Sequence, residues 1–182
     1  MKKIIFPKTI KIEENIEMIK IDKDIDVAKL RSNLFILYDQ EAISFLGFEN
    51  DIDKEIVDML HKINNTDRYV YYSIYKDSGF IGIFYLYDVN HKNQRANISL
   101  GIIPSKRGYV LSIDRMKTLL FELFNLGFIR LAMEIEDTNE KSLRLANHMQ
   151  NIGFVYEGKL RDNYGININS NVWSILKREF RF

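Results

Sequence analysis

The sequence predicts a mixed α/β fold, with one domain spanning residues 1–182. Three observations predict it. Some stretches repeat apolar residues every three or four positions, and others alternate them strictly. A strand–helix–strand unit is centred on Arg107-Gly108. Hydrophobic residues make up 46% of the 182 and charged residues 28%, so a packed core is expected without help from a metal or disulfide.

Taken in order, Ile10 to Ile21 alternates and reads as a first strand. Asp26 to about Phe45 carries Val27, Leu30, Leu34, Leu37 and Tyr38 at helical spacing. A second helix runs from about Asp53 through Ile56, Val57, Leu60 and Ile63, until Asn64-Asn65 stops it. The period then changes to two. Tyr69 to Lys76 is a strand, Asp77-Ser78-Gly79 its turn and Phe80 to Asp88 its hairpin partner, followed by a polar turn over residues 90–94. Core packing explains the many Tyr and Phe on these strands better than a base-stacking platform does.

Arg95 to Ile103 is the most informative strand. Ile98, Leu100 and Ile102 share one face; Asn97, Ser99 and Gly101 share the other, which is either solvated or the lining of a cleft. After Pro104 and Arg107-Gly108 a helix follows, with Met116, Leu119, Leu120 and Leu123 in register and Gly127 as its stop. Ile129 to Glu136 is a strand with Glu134 and Glu136 pointing away from its apolar side. They draw a cationic amine into a cleft or are simply solvated. Asp137 and Glu140 have the spacing of a capping box that opens a helix to about Asn151. Phe154 to Leu160 and Val172 to Lys177 close the chain as strands, and residues 162–171 between them are a substrate rim or a plain hairpin loop.

Composition removes several chemistries. Without cysteine there is no thiol nucleophile, Cys-ligated zinc or iron–sulfur cluster. A balance of 26 Lys+Arg against 25 Asp+Glu offers no electrostatic grip on nucleic acid or acidic lipid. His61, His91 and His148 lie far apart, and the Asp22-Asp24-Asp26 run has Val27 where a calcium loop needs Gly, so no metal is expected. Neither a secretion signal nor a membrane span is legible, which predicts a cytoplasmic protein.

What remains is the junction from Ile102 to Ser112. A helix starting directly after a strand presents unpaired N–H groups and a positive dipole end, suited to a pyrophosphate, and Arg107 adds charge there. A βα turn using Gly for geometry accounts for the same residues.

The wider pattern resembles the GNAT superfamily of N-acetyltransferases, most closely its ribosomal-protein N-terminal acetyltransferase branch. The residues that carry this are Arg107-Gly108 after a strand ending near Pro104, Asn139-x-x-Ser142, Gly153-Phe154, and Glu157-Gly158-x-x-Arg161. The resemblance implies a central, mostly antiparallel sheet, flanked by helices and splayed between residues 95–103 and 129–136. It implies acetyl-CoA in the splay, its pantetheine arm on the backbone of Ile102 and Ile103. The pyrophosphate would meet Arg107, Gly108, Tyr109, Val110, Leu111 and Ser112, and Asn139 would also contact the cofactor. Ser142 matches the proton donor, although a helix-surface role fits it equally, and Asn139 also suits a cap. Asn97, Ser99 and Glu134 would face the acceptor, an amine-bearing small molecule or a protein N-terminus. The protein would be a monomer or homodimer.

Four departures weaken the match. Val110 stands where the motif has Gly, and Ser112 where it has Gly or Ala. Asn97 takes the place of a Glu base and cannot accept a proton. The tyrosine that many members use as the acid falls at Ala146 or Met149, and Asn139 to Gly153 is 14 positions where the family usually has about 11. The alternative expectation is therefore a catalytically silent protein of this fold that binds CoA or a partner.

Overall fold

The structure, a computed structural model, describes residues 3–37, 51–107 and 112–182. Among these the elements run β1 (Thr9–Glu13), β2 (Ile16–Lys20), α1 (Val27–Leu37), α2 (Ile52–Asn65), β3 (Val70–Lys76), β4 (Gly79–Asn90) and β5 (Arg95–Ile102). They continue with α3 (Ile113–Asn125), β6 (Arg130–Glu136), α4 (Glu140–Met149), β7 (Val155–Gly165) and β8 (Ile168–Leu176). The strands form one sheet in the order β1-β2-β3-β4-β5-β6-β8-β7, antiparallel throughout except for β5 against β6. The expected sheet flanked by helices is the sheet observed.

Several boundaries differ from the sequence reading, each for a physical reason. The single strand expected over residues 10–21 is a hairpin, with Ile10 pairing Met18. Its turn at residues 14–15 is two residues long, so Ile10, Ile16 and Met18 keep one parity and mimic a continuous strand. In α2, Asp51 caps the first turn by accepting from the N–H of Asp53 and Lys54. That helix buries Ile56 and Met59 while Val57, expected in the core, is exposed. The end of the first expected helix, at residues 38–45, lies outside the described residues. The closing hairpin is longer than predicted, and most of the expected loop at residues 162–171 is strand.

The two sheet faces build two cores. On one face, α3 and α4 pack with Ile98, Ile102, Leu131 and Ile135. Leu120 and Leu123 of α3 are fully buried there, each contributing roughly 1.5–3 kcal/mol. On the other face, α1 and α2 cover Tyr71 and Ile83 through Leu30, Leu34, Leu37, Ile56 and Met59. Ser99 and Asn97 pair across the ladder with Tyr85 and Tyr87, and Gly101 pairs with Ile83. The polar face of β5 therefore lies on the α1/α2 side.

Candidate active site

Parallel pairing of β5 with β6 spans only three residue pairs, Arg95–Arg130, Ala96–Leu131 and Asn97–Ala132. Both strands continue, to Ile102 and Glu136, so they part into a wedge that widens toward their C-terminal ends. β5 leads on to α3 and β6 to α4, so both helix N-termini stand at the wide end. Each presents partial positive charge there.

The backbone of β5 is divided between its two sides. The Ile103 N–H donates to the Ile81 carbonyl of β4, at 3.0 Å. Because antiparallel pairs alternate, the backbone groups of Leu100 and Ile102 point the other way, into the wedge. Of the two residues expected to meet a pantetheine arm, Ile102 faces the wedge and Ile103 has its N–H committed to β4; Leu100, which was not anticipated, joins Ile102. Arg107 is half-buried and its Nε donates to the Ile102 carbonyl, at 3.1 Å. Among the described residues its terminal nitrogens make no further hydrogen bond or ion pair, and two donors of this kind suit an anion.

The helix does not start directly after β5. A 3-10 turn at Pro104–Lys106 intervenes, and Ser112 is the N-cap of α3, its hydroxyl accepting from the Arg115 N–H. Arg115 in turn is clamped by both carboxylate oxygens of Glu13 on β1, at 2.7 and 2.9 Å. Gly108, Tyr109, Val110 and Leu111 lie outside the described residues.

At the start of α4 the cap is Asn139, buried, with Oδ1 accepting from the Ser142 N–H at 3.1 Å. Asp137 is not part of a capping box. It accepts from Asn169 at 2.7 Å and pairs with Lys159 at 2.9 Å, and these two partners hold its carboxyl below the usual range. This ties the β7–β8 hairpin to the point where β6 turns into α4. Ser142 stands half-buried in the first turn of α4.

On the α1/α2 side of the sheet a row of tyrosines runs from β3 across β4 toward the wedge. Tyr69 and Tyr71 stack at 6.5 Å, Tyr71 and Tyr85 at 5.3 Å, and Tyr87 follows Tyr85 at 5.7 Å. Asn97 and Ser99 stand beside Tyr87 and Tyr85 in the ladder, and Ser99 is hydrogen-bonded to the Tyr85 hydroxyl. Burial pushes the Tyr85 phenol up to about 12, with Tyr164 among the neighbours adding to the shift. Burial raises Tyr87 too, then Glu134, and the same two causes raise Tyr164. All three keep their protons at neutral pH. Glu134 is half-buried, two positions beyond Ala132 on the same face of β6, and its Oε2 accepts from Asn163 at 3.1 Å. Asn163 also donates to Ser170, at 3.0 Å.

The structure thus brings Asn97, Ser99 and Glu134 together on one side of the wedge, with Ile102, Arg107, Ser112, Asn139 and Ser142 at its wide end. The tyrosine row is what the sequence reading missed. Its signal was parity: Tyr69, Tyr71, Tyr85 and Tyr87 all fall on the face that carries Asn97 and Ser99. Among the described residues, no three His, Asp or Glu side chains gather as a metal would need. No helix among them is long and apolar enough to cross a membrane.

No model of a protein family matches the chain, and no curated protein matches it. Solved structures do. A ribosomal L7/L12 N-terminal serine acetyltransferase from Salmonella typhimurium is 15% identical, with a TM-score of 0.76 over 92% of this chain and 98% of that one. The microcin C7 self-immunity acetyltransferase MccE, solved with acetyl-CoA and AMP, is 20% identical, with a TM-score of 0.72 over 94% and 97%. A GNAT-family protein from Chromobacterium violaceum is 18% identical, with a TM-score of 0.77 over 97% and 96%. The chain has the GNAT fold. That is the architecture its motifs implied, and the wedge between β5 and β6 is the feature of the GNAT fold that its sequence resemblance singled out. Another structure of the same shape, the ribosomal L7/L12 acetyltransferase RimL, was solved with coenzyme A; it is 15% identical, with a TM-score of 0.72 over 92% and 97%.

Proposed function

We propose that this chain is an N-acetyltransferase that moves an acetyl group from acetyl-CoA to a primary amine, residues 1–182 working as one unit. The observation that carries this reading is the wedge. It offers inward-facing backbone groups at Leu100 and Ile102, an arginine at its mouth and two helix N-termini at its wide end. Those groups suit the amides, the phosphates and the developing thiolate of the cofactor respectively. Arg107, Ser112 and Asn139, with residues 108–111, are the cofactor contacts in this reading.

The amine nitrogen attacks the thioester carbonyl. A C–N bond forms, the C–S bond breaks, the ammonium proton leaves to solvent or a nearby base, and the thiolate takes a proton. Ser142 is the candidate donor for that last step. Asn97, Ser99 and Glu134 face the acceptor, which is a small molecule or a protein N-terminus. A silent CoA binder is the second reading, favoured by Asn97 occupying the place where relatives carry a base.

Acetyl-CoA at one hundred times its Kd should stabilise the fold by about 2.7 kcal/mol. For a chain of this size that is a rise in Tm of roughly 5–10 °C, read by differential scanning fluorimetry. An unchanged Tm would remove both readings. Arg107→Ala should weaken CoA binding about tenfold, and the loss should shrink as salt is added. Titration calorimetry at two ionic strengths checks it; a loss independent of salt would mean that Arg107 acts only by holding the Ile102 carbonyl.

A further inference from the structure

The acceptor side of the wedge carries a charge that the fold leaves unbalanced. Among the described residues, no Lys, Arg or His forms an ion pair with Glu134; its hydrogen-bond partner is the neutral amide of Asn163. Glu134 is half-buried at this side of the wedge. Beside it, Tyr87 stands in the ladder with Asn97, and Asn97 pairs with Ala132, two residues before Glu134. Tyr85 and Tyr71 continue the row of rings away from it. Aromatic faces next to a carboxylate attract organic cations, and this row already does so at its far end, where Lys62 lies 5.1 Å over the Tyr69 ring.

We infer that the acceptor carries a second positive charge besides its reacting amine, and that Glu134 with Tyr87, at the near end of the tyrosine row, holds that second charge. The inference rests on the acetyltransferase reading and names its substrate class: a diamine or polyamine. Chemistry decides between the two nitrogens. A carboxylate against the reacting amine would favour its protonated form and deplete the nucleophile, whereas a spectator ammonium gains from the same contact. Glu134 also lies roughly 7 Å along β6 beyond the last paired residue, which separates it from the narrow end of the wedge.

The test is equilibrium binding of putrescine against n-butylamine, two amines of equal chain length that differ by one charge. Titration calorimetry on the full chain, with CoA bound, should show putrescine binding roughly tenfold tighter. In Glu134→Gln, isosteric and neutral, the two affinities should converge to within about twofold, with the Tm unchanged. Tyr87→Leu should narrow the gap as well, by removing a ring face and keeping an apolar side chain. Equal affinities in the original chain, or a preference that survives in Glu134→Gln, overturn the inference. CoA binding in the same cell reports on the acetyltransferase reading separately.

Discussion

Ser142→Ala should lower kcat about 100-fold while leaving acetyl-CoA affinity nearly unchanged. A general acid typically contributes 10²–10⁴-fold, and a CoA thiolate is a good enough leaving group to place the effect at about the low end. The hydroxyl would meet charge that develops only in the transition state, so binding of the ground state should not register its loss. The structure sharpens the expectation. Asn139 holds the Ser142 N–H, which fixes the residue in the first turn of α4, where the helix field favours a nearby anion. The cap uses the backbone of Ser142, so the substitution leaves it intact. Steady-state kinetics with a panel of amines, beside calorimetry for acetyl-CoA, separates the outcomes. A matching loss of affinity would make Ser142 a cofactor contact, and full turnover would assign the proton to solvent.

Gly153→Ala should destabilise the fold by about 3–4 kcal/mol and lower the Tm by roughly 10 °C. Two causes act together. Gly153 sits at φ +110, a conformation L side chains rarely adopt, and an added Cβ would lie 2.3 Å from the Glu179 carbonyl oxygen. That oxygen belongs to backbone in the C-terminal turn, which is anchored beside it by the Arg181 N–H donating to the Ile152 carbonyl at 3.1 Å. Gly158→Ala is the internal control. Its φ is +144 but nothing lies within 4 Å of an added Cβ, so only the backbone strain of about 1–2 kcal/mol should appear. Chemical denaturation of both variants measures the difference. Equal losses would show that the contact with Glu179 yields freely.

Local periodicity was enough for most elements. β5 was legible because its two faces differ, Ile98 and Ile102 against Asn97 and Ser99, and that difference survives any packing arrangement. The β3–β4 hairpin was legible because Asp77-Ser78-Gly79 turns tightly, with Asp77 and Ser78 at φ 48 and 64. The motifs around Arg107, Asn139-x-x-Ser142 and Gly153 carried the architecture as well, since helix starts and tight glycines are written in short stretches of chain.

Capping was harder to read. Asp137 had the right spacing to open α4, but Asn139 took the cap once Asp137 was drawn to Asn169 and Lys159, both more than twenty residues away. Likewise Val57 fitted the helical stripe of α2, yet burial went to Met59, because the stripe that matters is the one facing Tyr71 and Ile83 on neighbouring strands. Choices of this kind depend on partners that a window of the sequence does not contain.

The sequence by itself determined the fold class, the strand–helix–strand unit and the residue types at the wedge, because period, turn chemistry and capping residues act over a few positions. Only the tertiary structure decided which of those residues meet. β5 and β6 are joined by a helix, and their three paired residues leave Leu100, Ile102 and Glu134 on the walls of an opening that neither strand encodes alone. Tyr87, Asn97 and Glu134 come from three strands and share a face through register. Register is a relation between strands, fixed by packing on both sides of the sheet, and no single segment carries it.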